Sequence, residues 1–279
     1  MRITQLGTAA AERIPGLFCR CALCRRAAET GGKDIRTQTQ AVIDGHVLLD
    51  FPGDTYLHAL HGELDLPAVS TLLVTHWHSD HFYGEDLAYR MDGYALDNPT
   101  PLTVYGSATV RGFYDRAFFL EQRYDDEHLR FVTVAPGDAF TTDDGYECHV
   151  FEARHGHEFG DCLIYAVSHD GRTMLYAHDT GFPYDRTWRM LKESGLVFDY
   201  VSMDCTHGLI DNPSWGTHMN LDQNVAMRRR MLDEGLAHDG TMFVANHFSH
   251  NGRATHAQLE ERATGNGLVV AYDGMSVEI

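Results

Sequence analysis

The chain has 279 residues, 43% of them hydrophobic and 22% charged, a balance that supports a packed globular core and excludes a largely disordered or fibrous protein. A single domain spanning 1–279 is expected at this length. Its 40 acidic against 22 basic residues give a formal net charge of -18, with Lys33 and Lys192 the only lysines. Such a surface repels polyanions and anionic membranes, which argues against a nucleic acid polymer or a membrane as partner.

In chain order, Met1 to Leu6 reads as a short strand with no secretory signal before it, and no window approaches the roughly 20 apolar residues of a membrane span, so a cytoplasmic location is expected. Three of the six cysteines fall in Cys19-Arg20-Cys21-Ala22-Leu23-Cys24, a cluster that in a reducing compartment suggests a metal site before a disulfide. Runs rich in Val, Ile, Leu and Tyr predict strands at 39–50, 70–75, 102–105, 129–134, 146–153, 162–169, 173–178, 199–203, 241–246 and 268–279. Between the second and third of these, 83–101 carries Gly84, Gly93, Asn98, Pro99 and Pro101 and reads as a loop-rich excursion. A helix starts near Asp185 and stops at Gly195, and a second follows Asn220 with Leu221, Val225 and Leu232 on one face. A third is announced by the capping-box spacing of Thr255 and Gln258. This order fits an α+β protein of two sheets packed face to face with helices outside better than a doubly wound parallel sheet.

The chemistry concentrates in Thr75-His76-Trp77-His78-Ser79-Asp80-His81, directly after the apolar run Ser70 to Val74. One buried histidine is ordinarily a hydrogen-bonded core residue. Four nitrogen and carboxylate donors within six residues at a strand end are instead placed to converge on one or two metals, because a loop there frees side chains from strict alternation.

This segment resembles the signature of the metallo-β-lactamase superfamily, and the remaining positions of that pattern can be matched one at a time. Leu48-Leu49-Asp50 resembles the first motif, in which the aspartate orients the histidine loop without binding metal. His155, Asp179 in Ala177-His178-Asp179-Thr180-Gly181, and His247 in Ala245-Asn246-His247 resemble the later ligands. The resemblance implies an αββα sandwich of two mixed sheets. It also implies one metal on His76, His78 and His155, a second on Asp80, His81 and His247, and Asp179 between them. Two divalent cations, zinc or manganese with iron also compatible, would then activate a bridging hydroxide for hydrolysis.

Cys19, Cys21 and Cys24 together with His250 narrow the resemblance to the cyclic phosphodiesterases of the carbon-phosphorus lyase pathway, where such a set closes one structural zinc site. Asp204-Cys205-Thr206-His207, Thr217-His218-Met219-Asn220 and Tyr272-Asp273-Gly274-Met275 also resemble that branch. By this resemblance the catalytic candidates are Asp80, His218, placed to help the leaving group or hold the phosphate, and His207, which would support it. Cys205 is read as buried filler rather than nucleophile, His157 receives no role, and Glu158 departs from the pattern. The implied substrate is a small, cyclic or open phosphodiester, and a homodimer is compatible. A lactonase, a β-lactamase, a transfer-RNA processing nuclease, a pyrroloquinoline quinone biosynthesis-like protein, an iron oxidoreductase and an inert binding scaffold are the rival readings.

Overall fold

A computed structural model describes residues 1–61, 64–211 and 216–279. The chain runs through β1 (Arg2–Gly7), α1 (Ala22–Thr30), β2 (Gln40–Ile43), β3 (Val47–Leu49), α2 (Thr55–Leu60), β4 (Thr71–Leu73), β5 (Leu102–Gly106), α3 (Ala108–Glu121) and β6 (Leu129–Thr133). It continues through β7 (Ala139–Thr141), β8 (Glu147–Glu152), β9 (Leu163–His169), β10 (Arg172–Ala177), α4 (Asp185–Glu193), β11 (Phe198–Asp204), α5 (Leu221–Asp233), β12 (Ala237–Asn246), α6 (His256–Thr264), β13 (Val269–Val270) and β14 (Met275–Glu278). Two seven-stranded mixed sheets result, ordered β14-β1-β2-β3-β4-β5-β6 and β13-β12-β11-β10-β9-β8-β7.

Side-chain alternation sorts the core into three layers. Leu49 and Leu73 point between the sheets, where they meet Leu163, Tyr165, Met174, Tyr176 and Val244. Their neighbours Leu48 and Leu72 point outward, against Val110, Tyr114 and Phe118 of α3 and Leu87 and Met91 of the excursion. On the far side of the second sheet, Leu175, Ala177, Val201 and Met203 pack under Trp188 of α4, Met227 and Met231 of α5, and Leu259 of α6. Both faces of the central strands are therefore covered, which is why they read as unbroken apolar runs. The arrangement is the αββα sandwich that the resemblance implies. Among the described residues, no helix is long and apolar enough to cross a membrane.

The structure adds detail that the pattern lacked. The 39–50 run splits into the antiparallel pair β2 and β3, and 268–279 splits into β13 and β14, which belong to different sheets. The excursion 83–101 holds a 3-10 turn, Gly84–Arg90. Strand β7 and helices α1, α2 and α3 were not predicted. In α3, exposed Phe113, Phe119 and Leu120 blur the apolar stripe. In α1 the cap is a thiol, Cys21, whose Sγ accepts from the Cys24 N–H, instead of a Ser, Thr or Asp that signals a helix start.

One buried cation ties the chain ends to the edge that carries the site. The Arg36 guanidinium donates to Thr8 Oγ1 and the Ala271 carbonyl at 2.7 Å and to His256 Nδ1 at 3.0 Å, and lies 4.2 Å from the Phe248 ring. Because arginine only donates, His256 Nδ1 must accept and the imidazole must be neutral. Burial, then Arg36 and Lys33, push its pKa down from 6.5 to about 4. Between those two values the unfolded chain binds the extra proton, so stability falls as pH drops through that window, by at most ~1.4 kcal/mol per pH unit for one group. Urea midpoints measured at pH 7, 6 and 5 should therefore fall more steeply for the wild type than for His256→Gln. Parallel slopes would show that His256 is not held neutral.

Candidate metal centre

The parallel strands deliver their C-terminal ends to one edge of the sandwich. There β3 ends at Asp50, β4 runs into the 76–81 loop, β10 runs into Asp179, β11 ends at Asp204 and β12 runs into His247. Asp50, Asp179 and His247 adopt left-handed backbone conformations, with φ of 65°, 51° and 58°. Such values are costly for residues with a Cβ and cluster where a side chain must be re-aimed.

Three overlapping groups of ligand atoms form around Asp179, each with members within 4.8 Å of one another: His76, His78, His155 and Asp179; Asp80, His81, Asp179 and His247, the two that match the expected ligand sets; and Asp179, Asp204, His218 and His247. In the first, His76 Nε2 is 2.8 Å from His78 Nδ1 and 3.0 Å from Asp179 Oδ2, and His155 Nε2 is 3.3 Å from His78 Nδ1. In the second, His81 Nε2 lies 3.1 Å from His247 Nε2, 3.2 Å from Asp179 Oδ2 and 3.3 Å from Asp80 Oδ2. A tetrahedral cation with bonds of about 2.0 Å sets its ligands about 3.3 Å apart, so both groups have the size of a metal shell. Buried Asp179 Oδ1 and His155 Nδ1 lie 3.4 Å apart without forming a well-aligned hydrogen bond, which leaves room for a cation to satisfy them. The donor set therefore fits two divalent ions that share Asp179.

The electrostatics of the chain alone agree. Burial first, then neighbouring His81, push His76 down to about 3, and burial lowers His155. Burial would lower His81 too, but Asp50, Asp80 and Asp179 outweigh it and raise that imidazole well above its ordinary value. For Asp179 burial acts upward and is overcome by His155, His247, His218 and His76, which hold the carboxyl well below its usual range. Asp80 is likewise held ionised, against burial, chiefly by His81.

The supporting residues are as specific as the ligands. Asp50 Oδ2 is 2.7 Å from His81 Nδ1, while Asp50 Oδ1 accepts from the Thr75 N–H and hydroxyl at 2.8 Å. Asp204, fully buried, stands 3.3 Å from His247 Nδ1 and 2.9 Å from His218 Nδ1, and Thr206 Oγ1 lies 2.8 Å from His247 Nδ1. Such outer partners fix which ring nitrogen faces the metal. Asp204 was not singled out as a site residue, although it ends an apolar strand as Asp50 does. His218 sits 3.1 Å from Asp179 Oδ1, and Asp204 and Asp179 raise it to about 9 against the opposing effect of burial. His207 stands one step further out, its ring 5.8 Å from that of His218, in none of the ligand groups. His157 is exposed, and Cys205 is fully buried.

A separate group joins Cys19, Cys21, Cys24 and His250. Cys19 Sγ and Cys21 Sγ lie 3.6 and 3.8 Å from His250 Nδ1, close to the edge lengths of a zinc tetrahedron with Zn–S bonds of about 2.3 Å. Backbone N–H groups of Cys21, Cys24 and Gly16 donate to Cys19, Cys21 and Cys24 sulfurs at 3.4, 3.4 and 3.2 Å. Burial acts upward on Cys21 but these bonds and its neighbours bring it down to about 6, whereas burial pushes Cys24 up to about 12. All six cysteines are free. Gly16 is required by close approach, since a Cβ there would lie 2.9 Å from the His250 ring.

Residues 47–265 match the family described as beta-lactamase superfamily domain. No curated protein matches the chain in sequence. Among solved structures, Zn(2+)-bound PqqB from Methylobacterium extorquens is similar at 19% identity and a TM-score of 0.77, covering 100% of both chains. A diphosphatase of the PhnP family is similar at 20% identity and a TM-score of 0.77, covering 100% of this chain and 97% of that one. The short form of human tRNase Z is similar at 17% identity and a TM-score of 0.69, covering 100% and 99%. These likenesses establish the shared fold.

Asp50→Asn tests the support of the histidine loop. The amide would turn a donor toward His81 Nδ1 or toward the Thr75 donors, leaving a buried mismatch worth roughly 3 kcal/mol. Equilibrium urea unfolding should show that loss, and a cost below about 1 kcal/mol, typical of a single neutral hydrogen bond, would mean that Asp50 does not hold His81.

Proposed function

Since the chain belongs to the metallo-β-lactamase superfamily, we propose that it is a metal-dependent hydrolase acting on a small phosphodiester. The observation that carries this reading is the pair of ligand groups sharing Asp179 with the Asp204–His218 pair set against them. His76, His78 and His155 would hold one cation, Asp80, His81 and His247 the other, and Asp179 both. When bound there, two divalent ions supply Lewis acidity and an activated water. Zinc is the first candidate, because both donor sets suit it and a similar structure contains it; manganese and iron also accept imidazole and carboxylate. The Cys19, Cys21, Cys24 and His250 set would hold a third ion that pins the N-terminal loop.

The chain's own residues do the rest. Asp50, Asp204, Thr75 and Thr206 hold the ligand rings in orientation. His218, anchored at Nδ1 by Asp204, has its ring 5.3 Å from that of His155 and 6.0 Å from that of His247, between the two ligand sets. A ring so placed can protonate a departing alkoxide. The similar diphosphatase and tRNase Z structures favour phosphoester chemistry over lactones or lactams, and the acidic surface favours a small substrate over RNA.

The deciding experiment is a turnover screen with bis-p-nitrophenyl phosphate, ribosyl cyclic phosphates, lactones and a β-lactam, on metal-free protein refilled with one metal at a time. Phosphodiester turnover is expected, and lactone or lactam turnover in its absence overturns the reading. Metal analysis should give three ions per chain, falling by one when Cys19, Cys21 and Cys24 are changed together to Ser, while Asp179→Asn and His78→Ala should retain no more than a few per cent of turnover. An unchanged stoichiometry in the cysteine variant refutes the third ion. His218→Ala should slow alkyl diesters by about 10² to 10⁴ and p-nitrophenyl diesters far less, because p-nitrophenolate leaves without a proton. Equal losses would make His218 a phosphate-binding or structural residue.

A further inference from the structure

Two of the loops that bring metal ligands to the site also carry cations and aromatic rings, and these stack on one another. The loop after β8 supplies Arg154, His155 and Phe159, and the loop after β10 supplies Asp179, Gly181 and Tyr184, with Arg186 in the first turn of α4. The loops are tied together at Arg154, whose N–H donates to Thr180 Oγ1 at 2.8 Å and whose carbonyl accepts from the Gly181 N–H at 3.2 Å. The Arg154 guanidinium then lies against the backbone of Gly216, two residues before His218, so closely that a Cβ there would sit 2.8 Å from Nη2. From this point the stack runs outward. Arg154 lies 5.2 Å from the Tyr184 ring, Arg186 lies 4.4 Å from the same ring, and Arg186 lies 5.4 Å from the Phe159 ring.

The two arginines are not equivalent. Arg186 is paired with the buried carboxylate of Glu152, so its charge is compensated and its plane is held for stacking. Among the described residues, Arg154 has no carboxylate within 4.0 Å and its guanidinium makes one long hydrogen bond, Nη1 to the Phe182 carbonyl at 3.4 Å. In a chain with 40 acidic residues, a guanidinium left without a carboxylate beside two metal-ligand loops is a place for an anion. At the outer end Phe159 is 63% exposed and belongs to none of the three core layers. An exposed ring backed by a stacked guanidinium is a platform for another flat ring.

We propose that Arg154 and the Tyr184-Arg186-Phe159 stack form a substrate subsite for an anionic group joined to a flat aromatic group, so that the phosphoester presented to the metals belongs to a nucleotide-type compound. This rests on the phosphoester reading above. Arg154 takes the phosphate beyond the scissile bond, and Phe159 takes the base. Each contact contributes on the order of tenfold in affinity.

The test uses the metal-loaded protein and two substrates with the same leaving group, methyl p-nitrophenyl phosphate and the p-nitrophenyl ester of thymidine 5′-phosphate. The wild type should prefer the nucleotide ester by at least tenfold in kcat/KM, mostly through KM, and Phe159→Ala should erase most of that preference. Calorimetric titration with α,β-methylene adenosine diphosphate reads the subsite without turnover. Arg154→Gln should weaken that binding at least tenfold, and Arg154→Lys, which keeps the charge, should recover part of the loss. A purely structural Arg154 would lower the melting temperature in both variants without restoring affinity in the lysine variant. No preference between the two esters, or equal affinity in wild type and both Arg154→Gln and Phe159→Ala, overturns the subsite. If neither ester is hydrolysed while the analogue still binds through Arg154, the phosphoester reading fails and the subsite stands.

Discussion

The structure depends on accommodating four carboxylates, Asp50, Asp80, Asp179 and Asp204, at a buried edge where none is more than 5% exposed. Burying one such charge without compensation would cost several kcal/mol, more than an appreciable share of a domain's net stability. The compensation comes from imidazoles arranged so that each carboxylate touches a ring nitrogen. The strand ends, the left-handed turns and the paired threonines all hold that arrangement. In the chain alone Asp50, Asp80 and Asp179 raise the His81 pKa well above its ordinary value against the effect of burial, and that is the place a divalent ion would take over.

That constraint explains what the sequence made legible. Parallel strands covered on both faces must be apolar throughout, and the residues just past their ends are released to do chemistry, so Ser70 to His81 announces strand and site together. Asp50, Asp179 and His247 are readable for the same reason once the first cluster is found, whereas His155 follows the antiparallel strand β8 and is readable only through the resemblance. The elements that escaped lie where a different force sets the structure. Helix α1 begins at a cysteine instead of an ordinary cap, and α3, although capped by Ser107, turns Phe119 and Leu120 outward and so lacks a clean stripe. Asp204 lay in a matched segment and at a strand end, as Asp50 does, but its place beside both His247 and His218 is set only by the fold. His207 was readable as a residue type but not as a distance, and only the folded chain sets it behind His218.

No sequence repeat was visible, yet the two sheets repeat in their connections. Counting inward along the first sheet, β14, β1, β2 and β3 pair antiparallel and β3 to β6 pair parallel. Counting along the second, β7 to β10 pair antiparallel and β10 to β13 parallel. Each half also ends a strand of its parallel portion in an aspartate that holds the Nδ1 of a ligand histidine, Asp50 on His81 and Asp204 on His247. The shared requirement is geometric, since only parallel strands bring successive C-terminal ends to the same edge, and it leaves the intervening residues free to differ.

The segment from His247 to His250 has a consequence for how the molecule is assembled. Four consecutive residues supply a ligand to the buried edge at one end and a ligand to the cysteine cluster at the other, with Phe248 between them fastened by its N–H to the Thr8 carbonyl and by its carbonyl to the Ala10 N–H. The conformational entropy of ordering that segment is thus lost on folding, through backbone hydrogen bonds to the first loop. One short stretch of backbone therefore sets the position of a histidine in each cluster, and the two clusters share no ligand atom.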